Sequence, residues 1–271
     1  MTVLLPEQAN ALAELQATCD ALEVDVVVIG AIAYRAWMHN EQRTTEDVDA
    51  VVALDLSELP RLTDRLTAWG WRQDQRHEHR WYSSGRARFD LLPVGERTRR
   101  EKQIAWPRAE ITMSLVGYDH VFAGAIAREL APGLRVKIVP PVVLALLKIV
   151  AYLDDPYRRQ KDLGDLAGLM HAYEEDGERR FSDEVLDAGV DYTEAGAYLL
   201  GRDLAGLCSA EDEREAIDRF LQRFADPDDS IHAAATWLAE QEEDNRARQF
   251  SREIAALRRG FREIVEDPRA T

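Results

Sequence analysis

The chain has 271 residues, 46% of them hydrophobic, enough for a substantial core in one large domain or two. Its 50 acidic residues outnumber 34 Lys and Arg, and the net charge of −16 excludes indiscriminate attraction to DNA or to an anionic membrane surface.

In chain order, Pro6 opens a predicted amphipathic helix over 6–22, with Ala11, Leu12, Leu15, Cys19 and Leu22 at helical spacing. Val26–Ile29 is β-branched and wholly apolar, so it reads as an interior strand. A turn at Gly30 leads into a helix over 31–39, a polar loop follows, and a second strand spans 47–54. The next helix is predicted from a Ser57 N-cap to Trp69. Strands are expected near 71–75, 78–83 and 86–94, with a hairpin turn at 83–85. A basic connection over 95–108 leads to a segment near 109–115, then to two short segments near 121–127 and 134–139.

The character changes after Pro140-Pro141. Helices are predicted over 142–153, 162–173, 182–188, 192–206, 209–224, 229–241 and 244–266. This pattern predicts an α+β chain: a mixed sheet flanked by helices over 1–140, then an all-helical domain over 141–271. Charge follows a different division. Residues 172–271 hold 26 acids against 13 Lys and Arg, whereas 71–108 hold 10 Lys and Arg against 5 acids. That basic stretch is interleaved with Trp71, His77, His79, Trp81, Tyr82 and Trp106, a composition that could meet nucleotide or RNA locally, although most of its arginines read as solvated strand faces. Cys19 and Cys208 form no metal-ligand pattern and read as thiols of a reducing compartment. With no basic-then-apolar leader and no apolar run of membrane-spanning length, the expectation is a soluble cytoplasmic protein.

Side chains two apart on a strand share a face, so Val48 turns inward while Asp47 and Asp49 project together. Unpaired acids opening a buried strand are costly unless metal, hydrogen bonds or bases compensate. Arg35 or Arg43 could answer them as a strand-edge ion pair. Asp90, between Phe89 and Leu91, adds a third carboxylate from an apolar strand, and backbone amides could alternatively tie it up. Three such acids on neighbouring strands would suit two Mg²⁺, the arrangement that supports nucleotidyl transfer. Gly30, turning into a helix, offers backbone amides to phosphate. Lys148 is the one basic residue of its apolar helix and needs a counter-charge or an exit to water. Lys161, Asp162 and Asp165 could equally be a solvated helix face. The six histidines show no zinc spacing, and His77-x-His79 reads as exposed strand or an RNA-facing surface.

Taken together, strand–Gly30–helix, Arg43-Thr44-Thr45-Glu46-Asp47-Val48-Asp49 and Phe89-Asp90-Leu91-Leu92 resemble the nucleotidyltransferase superfamily of the DNA polymerase β type. Within it, Lys148, Arg158/Arg159 and Lys161-Asp162-Leu163-Gly164-Asp165-Leu166 are similar to the AbiEii/AbiGii-type toxin nucleotidyltransferases, over about residues 22–170. The resemblance implies that Asp47, Asp49 and Asp90 bind metal, with Asp90 as third ligand or general base. It implies that Gly30 and Ala31 cradle phosphate, that Arg43 and Lys148 contact the nucleotide, and that Asp162 or Asp165 supports the site. One departure is that Gly30-Ala31 stands where the family usually has Gly-Gly or Gly-Ser.

The implied activity is Mg²⁺-dependent transfer of NMP from an NTP to an acceptor, with tRNA as acceptor, a toxin or phage-defence role, and a separately encoded antitoxin as partner. Two alternatives stand beside it. One is a small-molecule nucleotidyltransferase of the aminoglycoside-modifying kind, favoured by the acidic C-terminal half. The other is a degenerate fold that binds without catalysing, suggested by Gly30-Ala31.

Overall fold

The structure, a computed structural model, describes residues 3–38, 45–108, 110–235 and 243–266. It comprises two compact units, Met1–Pro140 and Pro141–Thr271.

The first unit begins with α1 (Pro6–Asp20), which buries Ala11, Leu12, Leu15 and Cys19, the stripe its spacing predicts. β1 (Val26–Ile29), α2 (Gly30–Met38) and β2 (Asp47–Val52) follow as a strand–helix–strand unit. α3 (Pro60–Ala68) starts later than the Ser57 cap predicts: Leu59 occupies the N-cap without a side-chain hydrogen bond, and Pro60 takes the first turn, where its missing N–H costs nothing. Next come β3 (Arg72–Gln73), β4 (Arg80–Tyr82) and β5 (Arg88–Pro93).

The basic connection expected over 95–108 is ordered instead, as α4 (Glu96–Glu101) and β6 (Gln103–Trp106). Ion pairs one turn apart, Glu96–Arg100 and Arg97–Glu101, stitch α4 along its exposed side. Its first turn is held from afar by Asp55, which accepts the Thr98 N–H at 2.9 Å and the Thr98 hydroxyl at 2.8 Å. β7 (Ile111–Ser114) pairs with β6 as a separate two-stranded ribbon. The segment predicted near 121–127 is divided by Gly124, which ends the short α5 (Asp119–Ala123) before β8 (Ile126–Ala131) begins, and β9 (Leu134–Ile138) completes the unit.

The main sheet has seven strands in the order β3-β4-β5-β2-β1-β9-β8. β2 runs parallel to β5 and β1 parallel to β9, while the remaining pairs are antiparallel, so the sheet is mixed. β2 and β5 share one burial pattern: alternating over their first residues, then continuously buried over Ala50–Val52 and Leu91–Pro93. Both faces of these strands are therefore covered at one end, and one face is open at the other.

The second unit is helical: α6 (Pro141–Asp154), α7 (Gln160–Ala172), a 3₁₀ turn (Glu178–Phe181), α8 (Asp183–Leu186), α9 (Tyr192–Leu207), α10 (Glu211–Arg223), α11 (Pro227–Ala235) and α12 (Glu243–Glu266). The predicted helix 229–241 begins two residues earlier than expected, and its far end lies outside the described residues. α9 and α12 approach so closely that a Cβ on Gly201 would strike the Leu257 carbonyl, and one on Gly260 the Tyr198 carbonyl. Tyr152, Phe220, Phe224 and Phe250 form an aromatic cluster in this unit, with ring centroids 5.0–6.3 Å apart along the chain of contacts. No helix among the described residues is long and apolar enough to cross a membrane.

Candidate active site

The open end of β2 and β5 carries Asp47, Asp49 and Asp90. Register places their side chains. Asp49 lies opposite Asp90 across the parallel β2–β5 pair, and Asp90 lies opposite Arg80 across the antiparallel β5–β4 pair. Two residues along, Asp47 lies opposite Arg88, and Arg88 opposite Tyr82. Residues in register, and residues two apart, share a face. The face therefore bears two cross-strand rows, Arg80–Asp90–Asp49 and Tyr82–Arg88–Asp47.

These rows are wired as ion pairs. Arg80 grips Asp90 with both arms of its guanidinium, Nε donating to Oδ1 at 2.9 Å and Nη2 to Oδ2 at 2.8 Å. The same Nη2 lies 3.7 Å from Asp47 Oδ2. Arg88 donates to Asp47 Oδ1. Such forked, charge-assisted pairs are strong and geometrically specific. Hydrogen bonding to Asp90 pushes the Arg80 guanidinium further above its already high value, so it is charged at any working pH. Asp90 and Asp47 are thus each held by a guanidinium. His79 adds a ring nitrogen, Nε2, 3.8 Å from Asp90 Oδ2, with its ring set against Trp106 at 5.4 Å and His77 at 5.9 Å.

Gly30 closes the other side. Ile29 is the β1 partner of Asp49, and the chain turns immediately afterwards through Gly30 at φ +64°, a left-handed conformation that favours glycine. A Cβ there would collide with Asp49 Oδ2. The strand-to-helix turn and the second aspartate are therefore in direct apposition, with Ala31 as the next residue of α2. Arg43 lies outside the described residues.

The remaining candidates, Lys148, Asp162 and Asp165, assemble in the helical unit. Lys148 Nζ on α6 donates to Asp162 Oδ1 and Asp165 Oδ2 on α7, at 2.6 Å each. The lysine side chain is 10% exposed and each aspartate 1%. Lys148 thus finds its counter-charge inside the fold. Asp162 Oδ2 is buried without a hydrogen bond, with Arg159 Nη1 at 3.7 Å.

The sequence offers Arg35 and Arg43 as cations to answer the acids; in the structure Arg80 does so for Asp90 and Arg88 for Asp47. Arg88 carried a usable signal, since it stands two residues before Asp90 and so on the same strand face. Arg80 carried none, because its place depends on the register of β4.

The fold is thus a mixed-sheet α+β core followed by helices, of the nucleotidyltransferase type. The family is particular: residues 12–267 match the model described as Nucleotidyl transferase AbiEii toxin, Type IV TA system. The chain belongs to that family and is a nucleotidyltransferase. The match continues through the helical tail, well past the stretch near residue 170 where the sequence motifs end. A search of curated proteins finds no match. Similar solved structures include an antigenic nucleotidyltransferase-like protein from Paracoccidioides brasiliensis (18% identity, 74% of this chain and 91% of that one, TM-score 0.43). Others are the antibiotic-resistance factor ANT(2'')-Ia (12% identity, 67% and 88%, TM-score 0.40) and a CCA-adding enzyme solved with ATP (14% identity, 95% and 53%, TM-score 0.34).

Proposed function

We propose that the face bearing Asp47, Asp49 and Asp90 transfers NMP from an NTP to a hydroxyl of tRNA, as a toxin. The observation that carries this reading is the register of β2 and β5, which sets Asp49 beside Asp90 and puts all three carboxylates on one face. Hard carboxylate oxygens are the donors that Mg²⁺ prefers. When bound by these three residues, two Mg²⁺ would activate the attacking hydroxyl and ease departure of pyrophosphate.

The donor chemistry of the three carboxylates fits such ions. Among the described residues, no three His, Cys, Asp or Glu side chains converge to hold an ion, and here Arg80 and Arg88 take up carboxylate oxygens instead. Gly30 lets the backbone approach Asp49, and the amides that open α2 suit a phosphate. Asp90 serves as third ligand or as the base that accepts the acceptor's hydroxyl proton. Ala31 contributes its backbone amide, and Arg43 a positive charge toward the nucleotide. Lys148, which holds Asp162 and Asp165, keeps in this reading the phosphate contact that the resemblance implies, with one of those two aspartates supporting it.

The protein partner this reading implies is a separately encoded antitoxin, and the compartment is the cytoplasm. A small cationic acceptor of the aminoglycoside type is the second reading, supported by the acid excess over residues 172–271. The test is incubation with each α-labelled NTP, Mg²⁺ and either total tRNA or aminoglycosides, with Asp47→Ala/Asp49→Ala as control. Label on tRNA that disappears in the control is the expected result. Label on the aminoglycoside alone would replace tRNA with the second reading.

A further inference from the structure

We propose that Arg80 is a place-holding cation, which occupies Asp90 in the metal-free protein and gives it up when a divalent ion binds. The inference rests on the reading of Asp47, Asp49 and Asp90 as a metal site and goes beyond it, to what guards that site.

Three observations lead here. Arg80 spends two donors on the two oxygens of Asp90, and one of those donors also lies 3.7 Å from Asp47. The pairing is built into the sheet, because Arg80 and Asp90 are cross-strand partners and no loop has to close to bring them together. The pair is also reachable from solvent: the Arg80 side chain is 21% exposed and that of Asp90 14%. Three carboxylates on adjoining strands repel one another when nothing compensates them. Arg80, with Arg88 on Asp47, supplies that compensation from within the chain.

A guanidinium and a divalent cation compete for the same charge. A unit positive charge held against Asp90 opposes a second cation arriving there. Ion binding therefore has to displace Arg80, which costs affinity, and displacement turns a guanidinium loose beside the site. A loosened guanidinium is suited to the triphosphate, which it can grip through two parallel N–H donors. Arg80 thus tunes the site against metal taken up without nucleotide, and metal and triphosphate favour each other through it.

The test measures Mn²⁺ binding by the full chain without nucleotide, using electron paramagnetic resonance on wild type, Arg80→Gln, Arg80→Lys and Asp49→Asn. Arg80→Gln should bind Mn²⁺ about tenfold more tightly than wild type, because one opposing charge is gone. Arg80→Lys keeps the charge without the fork and should fall between the two. A second readout is thermal melting. Without metal, Arg80→Gln should melt below wild type, and saturating Mn²⁺ should raise its melting temperature by more than it raises that of wild type. If Arg80→Gln binds Mn²⁺ no more tightly while Asp49→Asn abolishes binding, the exchange is wrong and the metal site stands. If wild type and Arg80→Gln both fail to bind, or bind as Asp49→Asn does, the metal site and the exchange fall together.

Discussion

Both units set aspartates against cations, and they do so under opposite conditions. In the sheet unit the pairs lie on an open face: Arg80 with Asp90, and Arg88 with Asp47, on side chains that stay 14–30% exposed. In the helical unit Lys148 is sealed between Asp162 and Asp165, whose side chains are 1% exposed. Open pairs are screened by water and can be exchanged for other partners. Sealed ones cannot be broken singly without stranding a buried charge. The difference is between carboxylates that remain open to other partners and carboxylates that share one buried cation between two helices.

The sealed cluster is the most sensitive to a single change. Lys148→Met leaves two buried carboxylates without their cation and should cost about 3–5 kcal/mol in urea unfolding. Adding Asp162→Asn and Asp165→Asn to that variant should restore part of the loss. A Lys148→Met chain as stable as wild type would erase the contrast between the units. Gly30→Ala tests the open face from its backbone side. A left-handed non-glycine residue costs about 1–3 kcal/mol, to which the collision with Asp49 adds. The variant should also lose transfer activity at temperatures where circular dichroism shows it folded.

The smallest effect is expected where a pair has one foot in water. His171 on α7 lies 3.4 Å from Glu253 on α12, with the His171 side chain 65% exposed and that of Glu253 4%. Hydrogen bonding to Glu253 raises the histidine above its ordinary value of 6.5. Because the folded value is the higher one, the contribution is fully present below pH 6.5 and fades as pH rises through the folded value. His171→Gln should therefore lower stability by a few tenths of a kcal/mol, roughly the worth of an exposed pair, in acid, and by nothing once wild-type His171 is neutral. Urea midpoints measured from pH 5.5 to 8.5 would show this as two curves that converge at the alkaline end.

How much of this was legible in the sequence follows from the range of each interaction. β1, Gly30, α2 and β2 were legible because local patterns define them: an apolar run, a glycine turn, and alternation around Val48. Asp90 stood out as an acid inside an apolar strand. The grip of Arg80 on Asp90 was not legible, since it depends on which β4 residue faces which β5 residue. α4 was read as a connection because its six residues are nearly all charged, and the group holding its first turn, Asp55, lies 43 residues before Thr98. In the tail the helices could be seen from spacing, while the close approach of α9 to α12 at Gly201 and Gly260 could not. Membership of the tail in the family was equally hidden, because the charged motifs stop at Leu166.

The open carboxylate face that bears Asp49 is the proposed seat of the transfer. The most direct measurement is pyrophosphate release from NTP in the presence of acceptor, titrated with Mg²⁺, for wild type and Asp49→Asn at matched folded concentration. The account predicts Mg²⁺-dependent release by wild type and background release by Asp49→Asn, with the two melting within a few degrees of each other. Undiminished release by Asp49→Asn would place the chemistry elsewhere in the molecule.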